Sequence, residues 1–286
     1  MSIKKQHAEL DKYYTKKEVA QECYNHLKTV VSMKNVLFIE PSAGSGAFLE
    51  VIKEPSIGFD LLPTGPNIIK NDFLKGDLLS LLVGRQKRMN RVIIGNPPFG
   101  TKSTLAIAFV NKALEYSDTV GFIIPIQFRK WSVQSKINKD ALLIMDMELQ
   151  ENAFEFMGKD YNCRCCFQVW STKNNPINLR IKIKPSIIHP DFIVHQYNRT
   201  PMALKYFDMD WDFAVPRQGF NDYSMKAYKS GDCDRRKQWI FFKAKNKEVL
   251  NNLLALDFTA ISRKNIGIPG FGKADVIGEY VRVYGK

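Results

Sequence analysis

Val36-Leu37-Phe38-Ile39-Glu40-Pro41-Ser42-Ala43-Gly44-Ser45-Gly46-Ala47-Phe48-Leu49-Glu50-Val51-Ile52 spells a strand, a glycine-containing loop and a short apolar helix. The apolar run predicts a buried strand over 36–40. Gly44 and Gly46 allow a tight turn and close backbone approach to a ligand. Such a strand–loop–helix unit places its loop at the carboxyl end of a parallel sheet, where open α/β folds bind ligands. The loop lacks the three-glycine dinucleotide fingerprint, and it lacks the Lys-Ser/Thr ending of a phosphate-binding loop. Glu40 beside it argues against a phosphate and for a cationic ligand.

The next strands extend this unit. Ser56-Ile57-Gly58-Phe59-Asp60 ends in an acid able to accept both hydroxyls of a ribose. Asn71-Asp72-Phe73-Leu74 offers a carboxylate for an adenine amino group and a ring to cover the adenine face. Arg91-Val92-Ile93-Ile94-Gly95 is a further buried strand, ended at once by Asn96-Pro97-Pro98-Phe99. Proline has no N–H for the ladder and fixes its own φ, so the corner is rigid. It presents an amide oxygen, a prolyl carbonyl and an aromatic ring. The two acceptors suit both hydrogens of an exocyclic amine, and the ring suits a flat heterocycle.

Together, Glu-Pro-Ser-Ala-Gly-Ser-Gly-Ala-Phe and Asn-Pro-Pro-Phe resemble the gamma class of amino-group DNA adenine methyltransferases, over roughly residues 11–171. Tyr13-Tyr14-Thr15 resembles that class's N-terminal cofactor segment, although Lys16 stands where the family usually has proline. The resemblance implies S-adenosylmethionine as cofactor, contacted by Tyr14, Thr15, Glu40, Ser42, Ala43, Gly44, Gly46, Asp60, Asp72 and Phe73. It implies a catalytic corner of Asn96, Pro97, Pro98 and Phe99 acting on the 6-amino group of an adenine flipped from duplex DNA. Trp170 is expected as a second wall for that base, with Phe167 competing for the role. A cognate restriction endonuclease is a partner the resemblance allows, and a monomer is expected.

The remaining sequence is consistent with this and narrows it. Strands are predicted near 36–40, 56–60, 67–71, 91–95, 119–125, 141–149 and 162–171. Helices are predicted over 15–31, with Val19, Cys23, Leu27 and Val30 in register, and over 104–114. This alternation gives an α/β class: a doubly wound, mostly parallel sheet. Seven strands with a reversed last pair come from the resemblance. The polar stretch Thr172-Lys173-Asn174-Asn175-Pro176 sets the expected boundary, dividing a catalytic domain, 1–173, from a smaller α+β target-recognition domain, 174–286.

The net charge is +13, and residues 172–286, with 20 basic and 11 acidic residues, hold most of the excess. A basic domain joined to a catalytic one suggests phosphate contacts, with Arg235, Arg236 and Lys237 the expected cluster. The five cysteines have no zinc spacing: Cys163, Cys165 and Cys166 sit in an apolar run and the four histidines form no pair, so no metal is expected. No Pro-Cys nucleophile for cytosine carbon-5 methylation is present. No apolar run reaches membrane length, and Met1-Ser2-Ile3-Lys4-Lys5 carries no apolar signal region, so a cytoplasmic location is expected. Three alternatives stay open: an RNA adenine or guanine amino-group methyltransferase, a protein-glutamine methyltransferase, and a non-catalytic DNA-binding partner.

Overall fold

Two prolines and two glycine loops decide where the first sheet stops, and the site forms along that line. The computed structural model describes residues 13–156, 158–263 and 268–285; the N-terminal stretch Met1–Lys5, His7 and Gly267 lie outside them. In chain order the first elements are β1 (Tyr14–Thr15), α1 (Lys17–Val30), β2 (Val36–Glu40), α2 (Ala47–Val51), β3 (Ser56–Asp60), β4 (Ile68–Lys70) and β5 (Asn90–Gly95). There follow α3 (Thr104–Tyr116), β6 (Thr119–Pro125), α4 (Trp131–Gln134), β7 (Leu142–Glu148), β8 (Phe154–Phe156), β9 (Lys159–Tyr161) and β10 (Cys165–Ser171).

Seven of these strands form one sheet in the order β4-β3-β2-β5-β6-β10-β7. The first five are parallel, and β10 runs antiparallel to both neighbours. This is a doubly wound, mostly parallel sheet, with its last pair in reversed order. β2, β6 and β10 are buried along their whole length, as strands covered on both faces must be. Helix α1 turns Val19, Ala20, Cys23, Tyr24 and Leu27 into the core and leaves its charged side outside.

A small second sheet, β1-β8-β9, has no counterpart in the predicted strands. β8 and β9 are three residues each and join through a turn at Gly158, whose φ is +72°. Thr15 pairs with Phe154, and the Lys16 N–H donates to the Ala153 carbonyl at 3.2 Å. The Lys16 ammonium also meets Asp160 at 2.7 Å. A proline at position 16 would forfeit both contacts, which accounts physically for lysine at this position.

The chain divides into two compact units between Lys182 and Ile183. Residues 177–182 stay with the first unit because they are tied to it. The Arg180 guanidinium donates to the carbonyls of Gln134, Ile137, Asn138, Lys139 and Ala141, and the Ile181 N–H donates to Gln134 Oε1.

The second unit contains β11 (Phe192–Tyr197), β12 (Phe213–Gln218) and β13 (Gln238–Ala244), antiparallel in the order β11-β13-β12. Alternate residues serve two cores, as a pleated strand requires. Val194, Val215, Ile240 and Phe242 face α5 (Lys247–Leu254), α6 (Phe258–Ser262) and α7 (Lys273–Tyr284). Tyr197, Ala214, Trp239 and Phe241 face Ala203 and Phe207 on the 3-10 segment Pro201–Asp208. Most of the aromatic residues of this region are thus core.

Candidate active site

Four parallel strands end along one line, and their loops enclose a cavity of about 240 Å³. Tyr14, Thr15, Glu40, Ser42, Ala43, Gly44, Asp60, Asp72, Phe73, Asn96 and Pro98 all line it. Gly46, Pro97 and Phe99 do not: Gly46 caps α2 with φ +92°, Pro97 is buried in the corner, and Phe99, like Tyr13 and Tyr161, packs against the first core cluster.

The glycine loop is held from beneath. Asp60 Oδ2 accepts the Gly44 N–H and Oδ1 accepts the Leu62 N–H, each at 2.8 Å. Gly44 has φ +53°, and a Cβ there would come within 3.2 Å of the Tyr14 ring. Only glycine meets both demands. Asp60 therefore shapes the loop as well as facing the cavity.

Glu40 is 3% exposed, and its Oε2 has no partner among the described residues. Burial pushes this carboxyl well above the usual carboxylate range; the Leu49 N–H opposes that, and the nearby Asp60 adds to it. An enclosed carboxyl short of partners on a cavity wall suits a cation. At the other side, Asp72 Oδ1 accepts the Leu74 N–H at 3.1 Å, next to Phe73. Phe73 lies 5.3 Å from Phe109, and Leu105 completes an apolar surface. Nothing in the periodicity marked Leu105 and Phe109 as site residues, since both lie on the helical stripe of α3.

The corner is braced on both sides of Asn96. The Ser42 hydroxyl donates to the Asn96 carbonyl at 3.2 Å, and Asn96 Nδ2–H donates to the Tyr13 carbonyl at 3.1 Å. This fixes the amide orientation, because the opposite one would set two oxygens against each other. Asn96 Oδ1 is left buried and unpartnered among the described residues. No backbone N–H among them donates to the Pro97 carbonyl. Beside the corner, Tyr13 stacks on Tyr161 at 4.2 Å and lies 5.6 Å from Phe156. Tyr161 and Phe156 come from the unforeseen β8–β9 hairpin.

The expected second wall is corrected. Trp170 is fully buried mid-sheet; its Nε1–H donates to Gln168 Oε1 at 3.2 Å and Arg180 lies over its ring. Phe167 is fully buried as well. Neither can stack on a ligand. Arg235, Arg236 and Lys237 lie in the second unit: Arg235 pairs with Asp208 at 3.5 Å, Arg236 folds back on Asp234 at 3.0 Å, and Lys237 sits over the Phe220 ring. Among the described residues no cluster of His, Cys, Asp and Glu has metal-holding geometry, and no helix is long and apolar enough to cross a membrane.

No family profile matches the sequence, and no curated protein matches it. Solved structures do. A protein of Pyrococcus horikoshii, described provisionally as an RNA methyltransferase, is 16% identical over 57% of this chain and 87% of its own, with a TM-score of 0.44. The type IIL restriction-modification enzyme MmeI, solved with DNA, is 10% identical over 90% of this chain and 63% of its own, with a TM-score of 0.48. The M protein of the type I restriction enzyme EcoKI is 13% identical over 95% of this chain and 70% of its own, with a TM-score of 0.42. At these identities the likeness concerns the fold alone.

Proposed function

We propose that this chain is a site-specific adenine methyltransferase, moving a methyl group from S-adenosylmethionine to the 6-amino group of an adenine flipped out of duplex DNA. The observation that carries the reading is Asn96 Oδ1: a buried acceptor, held in a fixed orientation by Tyr13 and lacking a partner among the described residues, beside the cavity that Glu40, Asp60, Asp72 and Phe73 line. The cavity residues fit that cofactor. Glu40 suits its ammonium, Asp60 its ribose hydroxyls, Asp72 its adenine amine, and Phe73 the face of its adenine.

When bound, S-adenosylmethionine supplies a methyl group made electrophilic by its sulfonium. The chain's own task is to prepare the nucleophile. An adenine amine is unreactive because its lone pair is delocalised into the ring. Asn96 Oδ1 and the Pro97 carbonyl accept its two hydrogens and favour a pyramidal nitrogen with the lone pair free. Phe99 offers a ring for the base to stack on. No strong base is required, since the methylated nitrogen is acidic enough to lose its proton to water. Catalysis is then orientation and stabilisation of developing positive charge.

Transfer of labelled methyl groups to duplex DNA, compared with RNA hairpins and a glutamine peptide, tests this directly. Labelled N6-methyladenine in the duplex is the expected product. Label in RNA or peptide alone would replace the reading with the corresponding alternative.

A further inference from the structure

One more buried side-chain atom lacks a partner among the described residues: Nε of Arg217, in the second unit. Three half-buried arginines show how unusual this is. Arg129 donates to Asp146 and Glu148. Arg180 donates to five carbonyls. Among the described residues Arg217 has one side-chain partner, the amide oxygen Oε1 of Gln238, reached from Nη1. Burial lowers its pKa, opposed by the field of Asp275, whose Oδ2 accepts the Gly272 N–H. A guanidinium placed in the protein with so few acceptors is a destabilising arrangement, unless a ligand supplies the rest.

Strand register brings further amides to this end of the sheet. Gln218 pairs with Gln238 across β12 and β13, and Gln196 pairs with Ile240 across β11 and β13. These positions sit at one end of the sheet, where β11 and β12 finish and β13 begins. Residues 270–272 cross that end: Gly270 bridges Gln218, the Phe271 N–H donates to the Arg217 carbonyl, and Gly272 lies against Gln196. Lys273 follows, half-buried, its pKa lowered by burial alone. The opposite end of the sheet is saturated. There Lys243 meets Asp210 and Asp212, each at 3.0 Å, and Asp212 also accepts the Ala244 N–H.

A braced guanidinium among amides matches base edges more closely than phosphates. Arginine donates in a fork to O6 and N7 of guanine, and glutamine pairs with the adenine edge. Phosphates are met by exposed cations, and this unit already carries those in Arg235, Arg236 and Lys237 just before Gln238. We infer that Arg217, braced by Gln238, reads a guanine edge in the major groove of duplex DNA. This deepens the duplex-DNA reading given above and rests on it.

The test is selection of bound duplexes from a random-sequence pool by the full chain, followed by sequencing, with no methyl transfer required. The wild type is expected to select guanine at one fixed position. Arg217→Lys keeps the charge and loses the fork, so discrimination at that position should fall about 5- to 150-fold while other positions hold. Gln238→Ala should relax the same position without changing the charge, and it gives the same readout should Arg217→Lys melt in a thermal control. A wild type without a guanine preference overturns the inference. So does an Arg217→Lys variant weakened equally on all sequences, which would mark a phosphate contact. Selective binding of RNA hairpins with unselective binding of duplexes also overturns it. Methyl transfer to the same pool, measured in parallel, separates the two readings: guanine selection without methylation supports this inference and sinks the catalytic one, and methylation without guanine selection does the reverse.

Discussion

The buried polar groups of the first unit fall into two kinds. Beneath β7 and β10 runs a closed chain: Trp170 Nε1–H donates to Gln168 Oε1, Gln168 Nε2–H to Asp146 Oδ2, and Arg129 to Asp146 Oδ1. Every link has its partner. Burial opposes the Arg129 charge, and the Asp146 and Glu148 carboxylates outweigh it, raising its pKa above the ordinary guanidinium value. A few strands away, Glu40 Oε2 and Asn96 Oδ1 are buried and have none among the described residues. A satisfied network specifies packing. A buried group without a partner costs stability, and it persists where a ligand completes it. The contrast separates polar residues that hold the fold from polar residues that await a partner, although a hydropathy pattern scores both alike.

The largest effect expected from this contrast falls on the satisfied side. Trp170→Ala should destabilise the protein by about 3–5 kcal/mol, as a fully buried large ring is lost. A denaturant titration checks this. Wild-type stability with lost methylation would instead restore Trp170 as a base-stacking residue.

On the other side, Asn96→Ala should leave the melting temperature close to wild type and strike activity alone. Loss of one pre-organised acceptor typically costs about 2.7–4 kcal/mol in the barrier, so methyl transfer should fall roughly 100-fold or more. S-adenosylmethionine affinity, measured by calorimetry, should persist. A variant that melts early yet still methylates would place Asn96 among the fold-holding residues.

Glu40→Gln is a subtler probe, because it tests protonation as well as contact. Burial raises the Glu40 pKa in the folded protein above its ordinary value of 4.5. Between these two values the unfolded chain has released a proton that the folded chain keeps. Stability attributable to this group is therefore lost as pH rises from about 4.5 through the folded pKa. The glutamine variant should lack that loss and be the more stable of the two at neutral pH. A bound ammonium favours the carboxylate, so at a pH where the folded protein still holds the Glu40 proton, cofactor binding should release a proton from the wild type and none from the variant. Affinity should fall by about 1.5–3 kcal/mol with the charged partner gone. Calorimetry in buffers of differing ionisation enthalpy reads both quantities, and equal proton release by the two proteins would show that Glu40 does not meet the cation.

The cavity side of the candidate site was legible because its residues fall in short motifs. Gly44 with Gly46, and Asn96 with two prolines, each write a local backbone event into a few letters, and the strand preceding each is a plain apolar run. The β8–β9 hairpin was not legible: three-residue strands leave no periodicity, and its aromatics read as loop. Trp170 was misjudged for the opposite reason. An aromatic residue in a buried strand looks the same in sequence whether it faces a cavity or a core, and its depth depends on Arg180 folding back from beyond the expected boundary. Arg217 was invisible as a candidate. Its partner, Gln238, is distant in sequence and meets it only through antiparallel register.

The smallest effect concerns the cluster that composition did mark. Replacing Arg235, Arg236 and Lys237 with alanine should flatten the salt dependence of DNA binding, by at most about 0.9 in log–log slope for each phosphate neutralised. The full amount is not expected, because Arg235 and Arg236 already have the carboxylates of Asp208 and Asp234. These pairs are exposed, Arg236 being 91% accessible, and exposed ion pairs are weak enough to exchange for a phosphate. Lys237, held over Phe220 without a carboxylate, should contribute most, so Lys237→Ala alone should account for the larger part of the change. Binding should weaken on all sequences alike, since phosphate contacts position without specifying. Cofactor affinity should not move, because the cavity belongs wholly to the other compact unit. An unchanged slope in the triple variant would assign the basic excess of this unit to other surfaces; a slope that changes together with base preference would merge this cluster with the Arg217 site and erase the division between positioning and reading.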